Sequence, residues 1–163
     1  MTRLLLMSDT HLPARAKRLP GRLWELVDDA DLVIHAGDWV TAALLDKLEQ
    51  RVEVLGVWGN NDGADLRGRL PEVARRDLHG IRFAVIHETG DAASRERRMD
   101  AAFPDTDVLV FGHSHIPWDT TTPQGLRLLN PGSPTDRRRQ PDFTAMTAVV
   151  DDAGLRDVEL VRL

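Results

Sequence analysis

Short apolar runs recur along the first two thirds of the chain, and each run ends in small polar residues. The runs lie at residues 4–7, 32–34, 52–58, 83–86 and 108–111. They are rich in aliphatic and β-branched side chains with almost no polar interruption, so they predict strands that are buried on both faces. Strands of this kind are parallel and covered by helices, and we therefore predict an α/β protein.

Apolar positions at helical spacing predict three helices between these runs. Pro20 stands where the first would begin, Thr41 would cap the second over residues 42–50, and Asp91 would cap the third over about residues 92–103. Each would cover one face of the predicted sheet with its apolar stripe.

Two segments read as antiparallel hairpins. Residues 75–86 are interrupted at His79-Gly80, and residues 142–163 are interrupted at residues 151–154. The chain therefore combines parallel strands early with antiparallel pairing late. No boundary divides it, so we expect a single domain over residues 1–163.

Composition excludes several classes of protein. The chain has no cysteine, which excludes thiolate metal sites and Cys nucleophiles. Its 26 Asp and Glu against 21 Lys and Arg give a net charge of −5, which makes nucleic acid an unfavourable partner. No apolar run is long enough to cross a membrane, and the first residues are too short for a signal segment, so we expect a cytoplasmic protein without a membrane partner.

Residues with metal-binding chemistry follow the predicted strands. They are Asp9, His11, Asp38, Asn60, His87, His113 and His115. In open α/β sheets ligands bind beyond the carboxyl ends of the strands, where these side chains would converge. Oxygen and nitrogen ligands without sulfur suit Mn, Fe, Zn, Ni or Co better than Mg or Ca.

The spacing of two pairs suggests how the side chains converge. Asp9 and His11 are two residues apart, as are His113 and His115, and residues so spaced in extended backbone point to the same side. Seven ligands are too many for one ion with open positions. They fit two ions that share a carboxylate.

These motifs resemble those of a known superfamily. Asp9-Thr10-His11, Gly37-Asp38, Gly59-Asn60-Asn61-Asp62, His87 and Gly112-His113-Ser114-His115 occur in the order of the calcineurin-like metallophosphoesterases. The chain most resembles the small single-domain phosphodiesterase branch, which the later Asn130-Pro131-Gly132-Ser133 also matches. The resemblance implies a minimal version of the four-layer α/β/β/α sandwich.

The resemblance also implies a role for each ligand. Asp9, His11 and His115 would hold one metal, Asn60, His87 and His113 would hold the other, and Asp38 would bridge them. The implied cofactors are two divalent ions, with manganese favoured and zinc, iron, nickel or cobalt as alternatives. A bridging hydroxide would attack a small phosphate ester, so the implied enzyme is a metal-dependent phosphoric ester hydrolase, with a phosphodiesterase favoured.

Two positions depart from the family pattern. Asn61 stands where many members carry His and this branch often carries Cys, and an amide hydrogen-bonds to phosphate but cannot donate a proton to the leaving group. We therefore expect activated esters and diesters to be better substrates than alkyl monoesters. Where members often continue with a second histidine, His87 is followed by Glu88.

Other polar residues near the motifs have simpler interpretations. Asp62 would orient a metal-bound histidine such as His11, or cap the segment after Gly63. His35 is expected to be buried and hydrogen-bonded, and His79 to lie on the surface. A turn is favoured for residues 130–133 over a phosphate contact by Ser133, and a solvated loop is favoured for residues 137–139.

The tryptophans divide into two predicted groups. Trp39 and Trp118 would be able to stack on a base or aryl group, whereas Trp24 and Trp58 would belong to the core. The alternative function is a weakly active or non-catalytic scaffold of the same fold, and a nuclease is disfavoured by the acidic balance. A homodimer is compatible with the family resemblance.

Overall fold

Ten strands and four helices follow one another along the chain, which the computed structural model describes over residues 1–163. In order they are β1 (Thr2–Met7), α1 (Gly21–Asp29), β2 (Leu32–His35), α2 (Ala43–Glu49), β3 (Glu53–Gly56), α3 (Ala64–Arg69), β4 (Ala74–Leu78), β5 (Ile81–Val85), α4 (Arg95–Ala102), β6 (Val108–Val110), β7 (Trp118–Thr121), β8 (Arg127–Asn130), β9 (Thr144–Asp151) and β10 (Gly154–Arg162). None of the helices is long and apolar enough to cross a membrane.

The strands form two mixed sheets of five strands each. The first sheet has the order β10-β9-β1-β2-β3, with β1, β2 and β3 parallel. The second has the order β4-β5-β6-β8-β7, with β5, β6 and β8 parallel. The parallel strands of each sheet end on loops that carry the polar motifs.

Alternating side chains of the strands build separate apolar layers. Leu4 and Leu6 of β1 face the second sheet and belong to the core between the sheets, whereas Leu5 and Met7 face α1, α2 and α3. On the far side of the second sheet, Met99 of α4 packs over β5, β6 and β8. The order of layers is helix, sheet, sheet, helix, which confirms the predicted four-layer α/β/β/α sandwich.

The predicted strands and hairpins are confirmed, but two helix starts are not. Thr41 does not cap α2, because its hydroxyl donates to the carbonyl of Leu12 and the helix begins at Ala43. The helix expected from residue 92 begins at Arg95 instead. The Arg98 guanidinium donates to the carbonyls of Thr89, Asp91 and Ala93, and it thereby holds the preceding loop in a non-helical path.

Two short strands were not predicted, and a short helix was anticipated only as the segment after Gly63 that Asp62 could cap. The strands β7 and β8 have four residues each, and α3 has six. Polar residues interrupt all three, so none carries a long periodic signal. The omission matters most for β8, which lies between β6 and β7 and leads directly into residues 130–133.

Candidate metal centre

The two sheets bring all seven predicted side chains to one edge of the sandwich. Those of the first sheet follow β1, β2 and β3, and those of the second follow β5 and β6. From the first sheet come Asp9, His11, Asp38 and Asn60, and from the second come His87, His113 and His115. Because the two groups face each other across the sandwich, the centre exists only when the sheets are packed together.

One half of the centre is formed by Asp9, His11 and His115. The Nε2 atom of His115 lies 3.4 Å from Asp9 Oδ1, and that of His11 lies 3.8 Å from the same oxygen. The two Nε2 atoms are 3.3 Å apart. One nitrogen from each ring and one carboxylate oxygen therefore surround a common point, as the ligands of one ion would.

The other half surrounds His87. Its Nε2 lies 3.4 Å from Asp38 Oδ2 and 2.9 Å from Asn60 Oδ1. Asn60 Oδ1 is also 3.1 Å from Nδ1 of His113. These four side chains present oxygen and nitrogen atoms to one another at distances that a single ion would span.

Two carboxylates connect the halves. Asp38 Oδ2 lies 3.6 Å from Nε2 of His11 as well as beside His87, so it stands between the two sets. Asp9 Oδ1 is 4.0 Å from Nε2 of His87 and thus belongs to both clusters of candidate ligands. The resemblance assigned bridging to Asp38 alone, whereas the geometry brings Asp9 within reach of both.

Backbone carbonyls orient two of the histidine rings. Nδ1 of His87 donates to the carbonyl of Ala36 at 2.7 Å, and Nδ1 of His115 donates to the carbonyl of Asp136. A carbonyl only accepts, so Nδ1 of each ring carries a proton and Nε2 is the nitrogen that faces the centre. Metal-binding histidines are commonly oriented in this way.

Asp9 shows that these residues fit a cation. Its Oδ2 accepts from the Ser8 hydroxyl at 2.7 Å and from the backbone N–H of His113 at 3.0 Å. Its Oδ1 is buried without any hydrogen-bond partner and faces the Nε2 atoms of the histidines. Burial raises the pKa of Asp9 to about 7, because no positive charge in the structure compensates its desolvation well enough. A divalent ion would supply that charge.

The other titratable groups are shifted by the same burial and by one another. Burial lowers the pKa of His115 to about 4, which keeps the ring neutral. Burial also opposes the charge of Asp38, but the hydrogen bond and charge of His87 outweigh it and lower the pKa of Asp38. For His87, burial is outweighed by Asp38 and Asp9, so its pKa is raised. Metal binding requires neutral imidazole and ionised carboxylate, which are the forms that the shifts favour for His115 and Asp38, whereas the raised pKa values of His87 and Asp9 mean that an ion would displace protons there.

Five of the seven candidate ligands have left-handed backbone conformations, which set the directions of their side chains. Asp9, His11, Asp38, His113 and His115 have φ angles of 54°, 45°, 61°, 69° and 60°. The prediction that extended backbone would align each pair was therefore wrong. Side chains other than glycine rarely adopt such φ angles, and strained backbone of this kind clusters at functional sites.

Glycines let the strand-end loops approach one another closely. A Cβ atom on Gly59 would lie 2.2 Å from Asp38 Oδ1, and one on Gly112 would lie 2.8 Å from Asp9 Oδ2. Neither position has room for a side chain, so the carboxylates pack directly against backbone. This explains why glycine precedes Asn60 and His113.

Asp62 holds backbone rather than a histidine. Its carboxylate accepts from the backbone N–H groups of Gly59 at 2.7 Å, Asp38 at 3.0 Å and Val40 at 2.7 Å. The expected contact with His11 and the alternative of a helix cap were both wrong, and Gly63 is the residue that precedes α3. Asp62 instead connects the loops after β2 and β3, and so fixes the position of Asp38.

Asn61 and Glu88 lie beside the centre. The Asn61 side-chain amide donates to Asp38 Oδ2 at 2.6 Å, and its backbone N–H donates to Asp38 Oδ1 at 2.9 Å. Its contact with phosphate stays a prediction. Glu88 Oε1 lies 3.7 Å from Nε2 of His113, on the ring edge that faces away from Asn60.

Sequence reasoning missed the hydroxyl groups that support the Asp9 loop. Ser133 is buried, and its hydroxyl donates to the carbonyl of Asp9 at 2.8 Å, so the alternative of a phosphate contact was wrong. The Thr135 hydroxyl donates to the carbonyl of Thr10 at 2.6 Å. The only sequence signal for these roles was the motif at residues 130–133.

Several expectations for neighbouring residues are settled. His35 is buried as predicted, since its Nδ1 accepts from the N–H of Gly37 and its Nε2 donates to the Thr10 hydroxyl. His79 lies at the hairpin turn, and residues 137–139 are exposed, both as predicted. Trp39 does not offer a stacking surface, because it is fully buried and stacks on His35 at 3.5 Å.

The other three tryptophans are partly exposed. Arg95 lies 4.6 Å from the ring of Trp118, which covers a face that was expected to stack on substrate. Trp24 and Trp58 were expected in the core, but both are partly exposed, and an arginine lies over one face of each ring, Arg51 at 5.1 Å and Arg67 at 4.1 Å from the ring centroid. These rings close the edges of the apolar layers.

The fold and the centre define a class, that of two-sheet α/β proteins with a histidine and carboxylate site at the strand ends. The model of the calcineurin-like phosphoesterase superfamily domain matches residues 2–153, and the chain belongs to that family. A probable metallophosphoesterase of Methanothermobacter thermautotrophicus is 34% identical over 160 residues, which is 96% of this chain and 90% of the relative.

Solved structures share the fold over the full length. A Thermotoga maritima protein has a TM-score of 0.79 and 32% identity, with 100% of both chains covered. Vps29 from Entamoeba histolytica, solved in complex with Zn²⁺, has a TM-score of 0.78 and 21% identity, with 99% of this chain and 98% of that chain covered. At that identity the second likeness concerns the fold alone.

Proposed function

We propose that the protein is a metal-dependent phosphodiesterase that binds two divalent ions, with manganese favoured. The observation that carries this proposal is the buried Asp9 Oδ1, which has no hydrogen-bond partner and faces the Nε2 atoms of oriented histidines. A buried charged oxygen without a partner is costly, and a cation at that point would remove the cost.

The seven side chains would divide between the two ions. Asp9, His11 and His115 would hold one, Asn60, His87 and His113 the other, and Asp38 would contact both. When bound, two divalent ions activate a water for attack and stabilise the charge on the phosphoryl oxygens. Asp62 keeps Asp38 in place through the backbone, and we expect Asn61, whose amide donates to Asp38 Oδ2, to donate to a phosphate oxygen as well.

A cavity beside the centre favours a substrate whose ester substituent is uncharged and apolar. It has a volume of about 340 Å³ and is lined by Asn60, His87, the apolar side chains of Trp58, Ile86, Met99 and Phe103, and the carboxylates of Glu72 and Glu88. The two carboxylates would repel any further negative charge on the substrate, such as that of a second anionic group. The leaving group should also need little help from a proton donor, because the amide of Asn61 cannot protonate it. An aryl phosphodiester meets both conditions better than an alkyl monoester.

The direct test is hydrolysis of bis(4-nitrophenyl) phosphate with added manganese. We expect the wild type to turn over and Asp38→Ala and His113→Ala to lose more than roughly 100-fold in kcat/KM, which exceeds the usual effect of losing an outer partner of a metal ligand. His79→Ala is the matched control, because this histidine lies at a hairpin turn outside the centre.

The rival function is a scaffold of the same fold without useful activity. Equal rates in the wild type and both centre variants, or no rate with any of Mn, Zn, Fe, Ni or Co, would favour the scaffold. The presence of all seven candidate ligands, with the Nε2 atoms of His87 and His115 turned inward, supports the enzyme.

A further inference from the structure

A second cavity is lined by residues that follow His11 along the loop after β1. It has a volume of about 420 Å³ and lies between the loop that joins β1 to α1, the ring of Trp24 on α1, and the start of α2. None of the seven candidate ligands lines it. Its size is within the range of roughly 300–1,000 Å³ that is usual for small-molecule sites.

The charge around this cavity is entirely positive. Lys17, Arg18 and Lys47 line it, and no aspartate or glutamate does. None of the three cations forms an ion pair within 4.0 Å, although many of the arginines in this acidic chain are paired with a carboxylate. Lys17 and Lys47 are also the two lysines of the chain.

The floor of the cavity is apolar. Leu12, Leu44 and the partly exposed ring of Trp24 line it, and these side chains continue the apolar layer between the first sheet and its helices. An apolar floor with unpaired cations around it matches a ligand with an apolar body and a negatively charged group. An inorganic ion alone would use only the charges, and a neutral apolar ligand would use only the floor.

We propose that this cavity binds a small amphiphilic anion, in which an aromatic or aliphatic body carries a phosphate or phosphonate group. The body lies on Trp24 and Leu44, and the anionic group lies among Lys17, Arg18 and Lys47. Since Leu12 follows the candidate ligand His11 and lines the cavity, the bound anion is next to the metal centre but does not occupy it.

The test is calorimetric titration of the full chain with 2-naphthylmethylphosphonate, whose carbon–phosphorus bond resists phosphoesterase activity. We expect Lys17→Gln/Lys47→Gln to weaken binding at least tenfold. The matched double variant Arg97→Gln/Arg139→Gln removes two exposed charges elsewhere and should bind as the wild type does. Ala43→Phe places a ring in the cavity from an exposed helix position and should abolish binding.

Further arms separate this site from the metal centre and from charge alone. Asp38→Ala should bind the phosphonate as the wild type does, and 2-naphthylmethanol and inorganic phosphate should each bind at least tenfold more weakly. Binding lost in Asp38→Ala would place the probe at the metal centre and overturn the proposal. Equal losses in the two double variants, or unchanged binding in Ala43→Phe, would overturn it as well.

Discussion

The side chain of Asp9 is both fixed in position by hydrogen bonds and left with one oxygen free for a cation. One of its oxygens is satisfied by Ser8 and the backbone of His113, which fixes the side chain, and the other is left without a partner. The second oxygen is therefore unfavourable for the metal-free fold and favourable for binding a cation. Stability without metal and affinity for metal oppose each other at this residue.

Replacement of Asp9 by Asn should therefore stabilise the metal-free protein. The folded-state pKa of about 7 is above the ordinary value of 3.8, so the ionised carboxylate costs stability that is absent below about pH 4 and complete above about pH 7. We expect Asp9→Asn in chelator to be more stable than the wild type at pH 8, by up to roughly 4 kcal/mol, and by less than half of that at pH 5. Urea unfolding at the two pH values measures this.

An exposed carboxylate provides the control for that comparison. Asp105→Asn should change stability little at either pH, because Asp105 lies at the surface without a hydrogen bond. A metal-free Asp9→Asn protein that is less stable than the wild type at pH 8 would show that the unpartnered oxygen carries no cost.

Asp62 is the second residue on which the centre depends, and it acts through backbone. Asp62→Ala leaves the N–H groups of Gly59, Asp38 and Val40 without their acceptor. At about 1–3 kcal/mol for each buried group left unsatisfied, we expect a loss of about 3 kcal/mol or more in unfolding free energy. Activity should also fall, because Asp38 would no longer be held in its position.

Asp65→Ala is a matched control for this prediction, because Asp65 is exposed in the first turn of α3. It should cost no more than about 1 kcal/mol. Similar stabilities for the two variants would contradict the role assigned to Asp62, and a stable but inactive Asp62→Ala protein would limit that role to positioning.

At the scale of elements, the centre is formed by loops that pack so closely that the backbone of one loop contacts the side chains of the next. The loop after β6 lies against the loop after β1 at Gly112, where an added Cβ would also meet the Ser8 hydroxyl at 2.7 Å. The loop after β3 lies against the loop after β2 at Gly59. Strand pairing brings these loops together, and glycine lets them touch.

Gly112→Ala should therefore damage the centre more than the fold. The new methyl group would displace Ser8 and Asp9 Oδ2, so we expect manganese affinity to fall at least tenfold, while the circular dichroism spectrum stays that of the wild type. Gly68→Ala is the control, since its Cβ would meet no atom within 4 Å and the exchange in α3 should raise stability by up to about 1 kcal/mol. Unchanged metal affinity in Gly112→Ala would show that this loop can move.

Elements differ in how far the sequence predicts them, for physical reasons. Apolar runs predict the buried strands because burial on both faces is a local property of each run. The motif residues were found because each follows such a run directly. The contact of Ser133 with Asp9 spans 124 positions, and that of Asp62 with Val40 depends on two loops, so neither has a local signal. The left-handed backbone at Asp9 and His11 is imposed by packing and was equally invisible.

At the scale of the whole molecule, the candidate centre spans both sheets. Asp9, His11, Asp38 and Asn60 belong to the first sheet, and His87, His113 and His115 belong to the second. Ions held by both sets would link the two halves of the sandwich across their apolar interface. Unfolding would then separate the ligands, and metal binding would appear as folding free energy.

Added metal should therefore stabilise the protein as a whole. At a metal concentration 1,000 times the dissociation constant, linkage gives about 4 kcal/mol, which corresponds to a rise in Tm on the order of 10 °C for a chain of this size. His79→Ala should keep this rise, because His79 is outside the centre, whereas Asp38→Ala should lose most of it. Scanning calorimetry with manganese and with chelator measures the difference.

A rise that persists in Asp38→Ala would place the stabilising ion elsewhere. No rise in the wild type would mean that the seven residues do not hold metal tightly enough to join the sheets.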